Sequence, residues 1–158
     1  MTQTITSTET ANTDRIRSLR WGAPAVVAAA ALSVFSVYGD GTLSGSQQAS
    51  QEAALPWIIA VAVIVGGLLF GLAVPRLLRS RSMSGWALAL GLVGVVALVA
   101  YWSGLPVVFG AAALLVGINA RRLARVDGGT ARLATSATVV SLLAIAAGII
   151  GTIVSTIH

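Results

Sequence analysis

Residues 85–122 read GWALALGLVGVVALVAYWSGLPVVFGAAALLVGINARR. The stretch holds two apolar runs joined at Ser103-Gly104-Leu105-Pro106 and ends on an arginine pair, Arg121-Arg122. No acid, base or thiol occurs between Trp86 and Ala120. Nearly every side chain in such a run loses free energy by staying hydrated, so it cannot form a water-facing surface. It reads as two lipid-embedded helices in a tight hairpin, with the arginines marking a wet side.

The rest of the chain repeats the pattern. Of its 158 residues, 56% are hydrophobic and 9% charged, where soluble domains carry roughly 25% charged residues. Apolar runs occupy residues 21–38, 56–75, 86–102, 106–120 and 133–157. The expected fold is all-α: an integral membrane helical bundle of five transmembrane helices over residues 20–158. Residues 1–19 form a Thr-rich cytoplasmic tail with little to bury, expected to be disordered.

Polar segments divide the runs. Residues 39–55 make the longest polar connection and carry Asp40 and Glu52 without a base. Pro24 and Pro56 sit near the starts of the first two runs, where a missing N–H is harmless, and Pro75 closes the second. The Gly128-Gly129 pair marks a flexible turn before the last run. The first run follows Arg15, Arg17 and Arg20 as a signal peptide would. However, Ser36-Val37-Tyr38 lacks a small-x-small cleavage pattern and the run is long enough to span, so a retained anchor is expected.

Charge supplies the orientation. The net charge of +5 is carried by ten arginines and no lysine. They fall in three clusters: Arg15, Arg17 and Arg20; Arg76, Arg79 and Arg81; and Arg121, Arg122, Arg125 and Arg132. With the N-terminus cytoplasmic, all three clusters are cytoplasmic and the C-terminus at His158 is extracytoplasmic, as the positive-inside rule requires. An alternative reading makes residues 86–120 a re-entrant hairpin, leaving three or four spans. Both of its ends would then remain cytoplasmic, and only the location of Ser103-Gly104 differs. Tyr101-Trp102 suit a second interface and favour spanning.

Several function classes are excluded by what the chain lacks. There is no cysteine and one histidine, at the terminus, so thiol chemistry, disulfides and a multi-histidine metal site are ruled out. Asp40 and Glu52 alone make a poor cation site. Ion-coupled transport needs an ionisable group inside the membrane, and no span has one. No nucleophile–base pair, Walker motif or dinucleotide fingerprint occurs. The expectation is no enzyme, no cofactor and no metal. Nucleic acid is not an expected partner, because no aromatic residues interleave with the arginines for stacking.

Small residues are the remaining signal. Gly67 and Gly71 form a GxxxG pair, the third run has Gly91 and Gly94, and the last offers Ala144, Gly148 and Gly151. Glycines one turn apart make a flat groove where another backbone can approach closely, within the chain or between subunits. The ten arginines are topology determinants in wet loops or contacts to anionic lipid. Asn119 sits at the inner end of the fourth run, near the interface or bonded to a neighbouring helix.

Residues 85–157 carry Gly104-Leu105-Pro106, then Leu115-Val116-Gly117, Arg121-Arg122, Gly128-Gly129, Ala134 and a final glycine-containing run. This pattern resembles a family of small multi-pass membrane proteins of unknown function in actinobacteria, which shows a GLP hairpin, an LG…RR exit and a Gly-rich last helix. The segment Thr138-Val139-Val140-Ser141-Leu142 departs from it. The resemblance implies a bacterial plasma (inner) membrane and no particular chemistry; exclusive use of Arg with abundant Ala, Val and Gly agrees with a GC-rich bacterial source. The leading expectation is a non-enzymatic accessory or scaffold component, whose partners are the lipid bilayer and a second copy or a larger membrane complex. The second is a small oligomeric permease or channel using the hydroxyls Thr138, Ser141 and Thr152.

Overall fold

The computed structural model describes residues 3–39, 44–127 and 131–157. Every element is helical: α1 Gln3–Gly39, α2 Gly45–Leu68, α3 Val74–Leu77, α4 Met83–Val96, α5 Leu105–Asp127 and α6 Ala131–Ile157. A π-helical turn, Leu69–Ala73, splices α2 onto α3, and a 3₁₀ stretch, Ala97–Ser103, prolongs α4. Five segments are long and apolar enough to cross a membrane: Arg15–Gly39, Gly45–Leu77, Met83–Ala100, Leu105–Arg125 and Arg132–Val154. The exterior is apolar too, with Val27, Trp57, Val96 and Val99 largely exposed. This is a surface made for lipid.

Except for α4, the helices are longer than the apolar runs. α1 begins at Gln3, so the segment expected to be disordered continues the first span as helix. No Gly or Pro lies between Gln3 and Trp21 to stop it, and extending an existing helix fixes only one residue per added bond. Likewise α2 starts at Gly45 and takes up most of the expected polar connection. Ser44 and Gln47 mark the start: the Gln47 Oε1 accepts the Ser44 N–H at 3.1 Å, one arm of a capping box. Asp40, Gly128-Gly129 and His158 lie outside the described residues.

All three prolines expected near helix ends are embedded. Pro24 lies inside α1 and Pro56 inside α2. Pro75 does not end the second span, since helix continues through it to Leu77. An α-helix reaching Pro75 would push its ring against the Gly71 carbonyl and leave that carbonyl without a donor. The chain widens into a π turn just before the proline, where the Val74 N–H bonds back to the Leu69 carbonyl.

α4, α5 and α6 pack against one another along their lengths, α1 lies against α5, and α2 lies chiefly against α1. The most enclosed span is that of α5, half buried where the others mostly face outward. Ten of the nineteen buried apolar residues described are alanine, among them Ala29, Ala87, Ala112 and Ala137. Lipid tails are as apolar as leucine, so helices in a membrane gain little by hiding large side chains. They gain by close backbone approach, which alanine and glycine allow.

The α4–α5 turn is set back. Gly104 takes φ +67 and seats against α1: a Cβ there would stand 2.5 Å from the Ala29 carbonyl oxygen. Only glycine accepts both that conformation and that approach. Ala29 lies ten residues before Gly39, where α1 ends, or about 15 Å along the axis. α6 similarly continues nine residues beyond Gly148, which faces Pro106, about 14 Å more. The turn closes its own polar groups, with the Ser103 hydroxyl donating to the Ala100 carbonyl (2.6 Å) and accepting the Leu105 N–H (3.3 Å).

Candidate functional site

The glycines fall into two groups. At the centre of the α4–α5–α6 unit, a Cβ on Gly91 would stand 3.2 Å from the Val140 side chain and 3.5 Å from the Ser141 Oγ. One on Gly94 would stand 3.4 Å from the Ala144 Cβ and 3.4 Å from the Gly110 nitrogen, and one on Gly148 would stand 3.2 Å from the Pro106 Cβ. Gly91, Gly94, Ala144 and Gly148 are therefore brought together inside the bundle. Gly67 and Gly71 are not: a Cβ on either meets nothing within 4 Å. Gly151 is partly exposed near the end of α6.

The close approach on α2 falls one residue earlier than the GxxxG pair. Gly66 takes the Val26 side chain and Gly22 of α1 takes the Phe70 ring, each at a distance that leaves no room for a Cβ. Gly110 of α5 does the same for Ile145, and a Cβ on Gly117 would stand 3.1 Å from the Thr138 Oγ1. None of these four was among the small residues read from the sequence as packing positions, although Gly117 belongs to the Leu115-Val116-Gly117 motif. Which glycine faces a neighbour depends on the rotation of its helix, and from Trp57 onward α2 is apolar all round, so no polar face marks that rotation.

Hydroxyls inside the bundle mostly serve their own helices. Thr138 donates to the Ala134 carbonyl (2.8 Å), Ser141 to Ala137 (2.6 Å), Thr152 to Gly148 (3.0 Å) and Ser33 to Ala29 (3.0 Å). The Asn119 amide also turns back, donating to the Leu115 carbonyl at 2.7 Å. Ser18 differs. Buried on α1, it lies 2.6 Å from the Phe70 carbonyl on the π turn, to which it donates, and 2.9 Å from the Arg15 carbonyl of its own helix.

The arginines stay wet. Arg15, Arg17, Arg20, Arg76, Arg79, Arg81, Arg122, Arg125 and Arg132 are exposed, and Arg121 is partly so. Arg17 and Arg20 line a concavity of about 730 Å³ with Thr13, Ile16, Trp21 and Pro24. Glu52 accepts a bond from the Gln48 amide (3.3 Å). No group of three or more potential metal-ligating side chains occurs among the described residues. Comparison with protein-family models, curated proteins and solved structures finds no match for the chain.

Proposed function

We propose that this chain is an accessory or scaffold component of a bacterial plasma membrane. It carries out no chemistry of its own and packs against a second copy or a larger membrane complex. Its N-terminus is cytoplasmic and its C-terminus extracytoplasmic. The observation that supports this reading is the open strip at Gly67 of α2 and Gly71 of the π turn, four residues apart, with nothing among the described residues within 4 Å of a Cβ at either. Gly91, Gly94, Ala144 and Gly148 close contacts within the bundle; Gly67 and Gly71 leave an open apolar strip on a segment that packs chiefly against α1.

The reading is tested by Gly67→Leu and Gly71→Leu. A Cβ at either position meets nothing within 4 Å among the described residues, so the fold should be unaffected while an association through this face is lost. Native gels and cross-linking in mild detergent read the outcome. A wild-type protein that runs as a monomer and co-purifies with nothing removes the basis of the proposal. The permease reading is weaker, because Thr138, Ser141 and Thr152 each donate to a carbonyl of their own helix.

A further inference from the structure

We propose that the groove at the arginine end of α1 binds one anionic phospholipid, its phosphate held between Arg17 and Arg20 and its chains laid along Trp21 and Pro24. The groove is built on two adjacent ridges of one helix. Thr13, Arg17 and Trp21 follow one another at intervals of four residues, and Ile16, Arg20 and Pro24 do the same on the next ridge. From Thr13 to Pro24 the lining runs about 16 Å along the axis. Past Thr13 and Ile16 it passes two guanidiniums, then an indole and a pyrrolidine ring, with exposed Val27 beyond, and from the guanidiniums onward this is the order of a lipid from head to chain.

Neither Arg17 nor Arg20 has a hydrogen-bond or ion-pair partner among the described residues, and no described acidic side chain lines the groove. Arginine offers a planar fork of donors that matches phosphate oxygens, and at a partly dehydrated interface such contacts are stronger than in water. Trp21 is half exposed beside them, and an indole settles where an apolar chain meets a polar head. Pro24 adds a feature that a simple basic patch lacks. It has no N–H to give the Arg20 carbonyl four residues earlier, so an acceptor without its helical donor lies beside the two cations. A headgroup with both a phosphate and hydroxyl donors, as in a glycerol head, answers both.

Phosphate is the shared chemistry of a lipid head and a free anion, and the experiment separates them. The full-length protein in neutral detergent is titrated with dioleoylphosphatidylglycerol, dioleoylphosphatidylcholine or inorganic phosphate, and bound species are counted by native mass spectrometry. Phosphatidylglycerol should bind as one tight equivalent. The double variant R17Q/R20Q should weaken it by about tenfold or more, while R122Q/R125Q, which removes the same charge elsewhere, should change it less than about threefold. Equal weakening by both pairs would overturn the proposal, leaving only general attraction to positive charge. Competition by inorganic phosphate at comparable concentration would overturn the lipid assignment. If R17Q/R20Q does not fold, R20K keeps the charge and removes the fork: a several-fold loss supports the site, and unchanged binding sinks it.

Discussion

The Ser18 hydroxyl on α1 supplies the Phe70 carbonyl on the π turn with the donor that Pro75 denies it, across 2.6 Å. In the π register the Phe70 carbonyl would accept from the N–H five residues on, which is Pro75 and has none. The Val74 N–H, its α-helical partner, is turned to Leu69 instead. One proline thus opens a gap in its own helix, and a serine 52 residues before Phe70 fills it.

Ser18→Ala should therefore destabilise the protein by about 1–3 kcal/mol, the cost of stranding a buried carbonyl. In a Pro75→Ala background, where residue 75 regains its N–H, the same substitution should cost clearly less. Unfolding in mixed micelles across this double-mutant cycle measures the coupling. Equal costs in both backgrounds would show that the hydroxyl and the proline act independently.

Ser141→Ala should behave differently although Ser141 is just as buried. Its hydroxyl shares the Ala137 carbonyl with the helix's own N–H, so its removal leaves no polar group unpaired. A change within about 1 kcal/mol is expected. If instead solute flux into liposomes is found and disappears in this variant, the hydroxyl has a transport role that its bonding does not suggest.

Gly104→Ala should be severe. It places a Cβ against the Ala29 backbone and forces an L side chain into a left-handed conformation that alone costs about 1–2 kcal/mol. Gly67→Ala meets open space and should be neutral or stabilise α2 by up to about 1 kcal/mol. Thermal unfolding of the two variants side by side provides the comparison.

The position of the α4–α5 turn can be read by labelling, since the chain contains no native cysteine. A cysteine in place of exposed Ser46 should react readily with a membrane-impermeant thiol reagent added outside. One in place of Ser103 should react far more slowly, because the turn lies against Ala29, about 15 Å short of the end of α1. Equal rates would bring Ser103 to the surface.

The five apolar helices were legible in the sequence because hydrocarbon admits no ionic side chain, and their absence between residues 86 and 120 is visible without a structure. The helix limits were less so. In water Pro24, Pro56 and Pro75 would mark boundaries, but in a bundle a widened turn or a neighbour's hydroxyl can absorb a proline, and nothing near Pro75 announces that Ser18 will do so. Gly67 and Gly71 fit a known spacing, while the chain's own contact went to Gly66. Spacing reports that a flat strip exists; packing decides what lies against it. The groove at Arg17 and Arg20 needed the structure as well, since its two ridges become one lining only once α1 runs unbroken from the expected tail into the first span.

Because its hairpin stops short, the molecule does not keep one cross-section from end to end. Among the described residues the α4–α5 turn is seated at the level of Ala29, whereas α1 runs on to Gly39 and α6 continues past Gly148 to Ile157. The bundle narrows toward the end away from its arginines, and the two leaflets around it meet perimeters of unequal size.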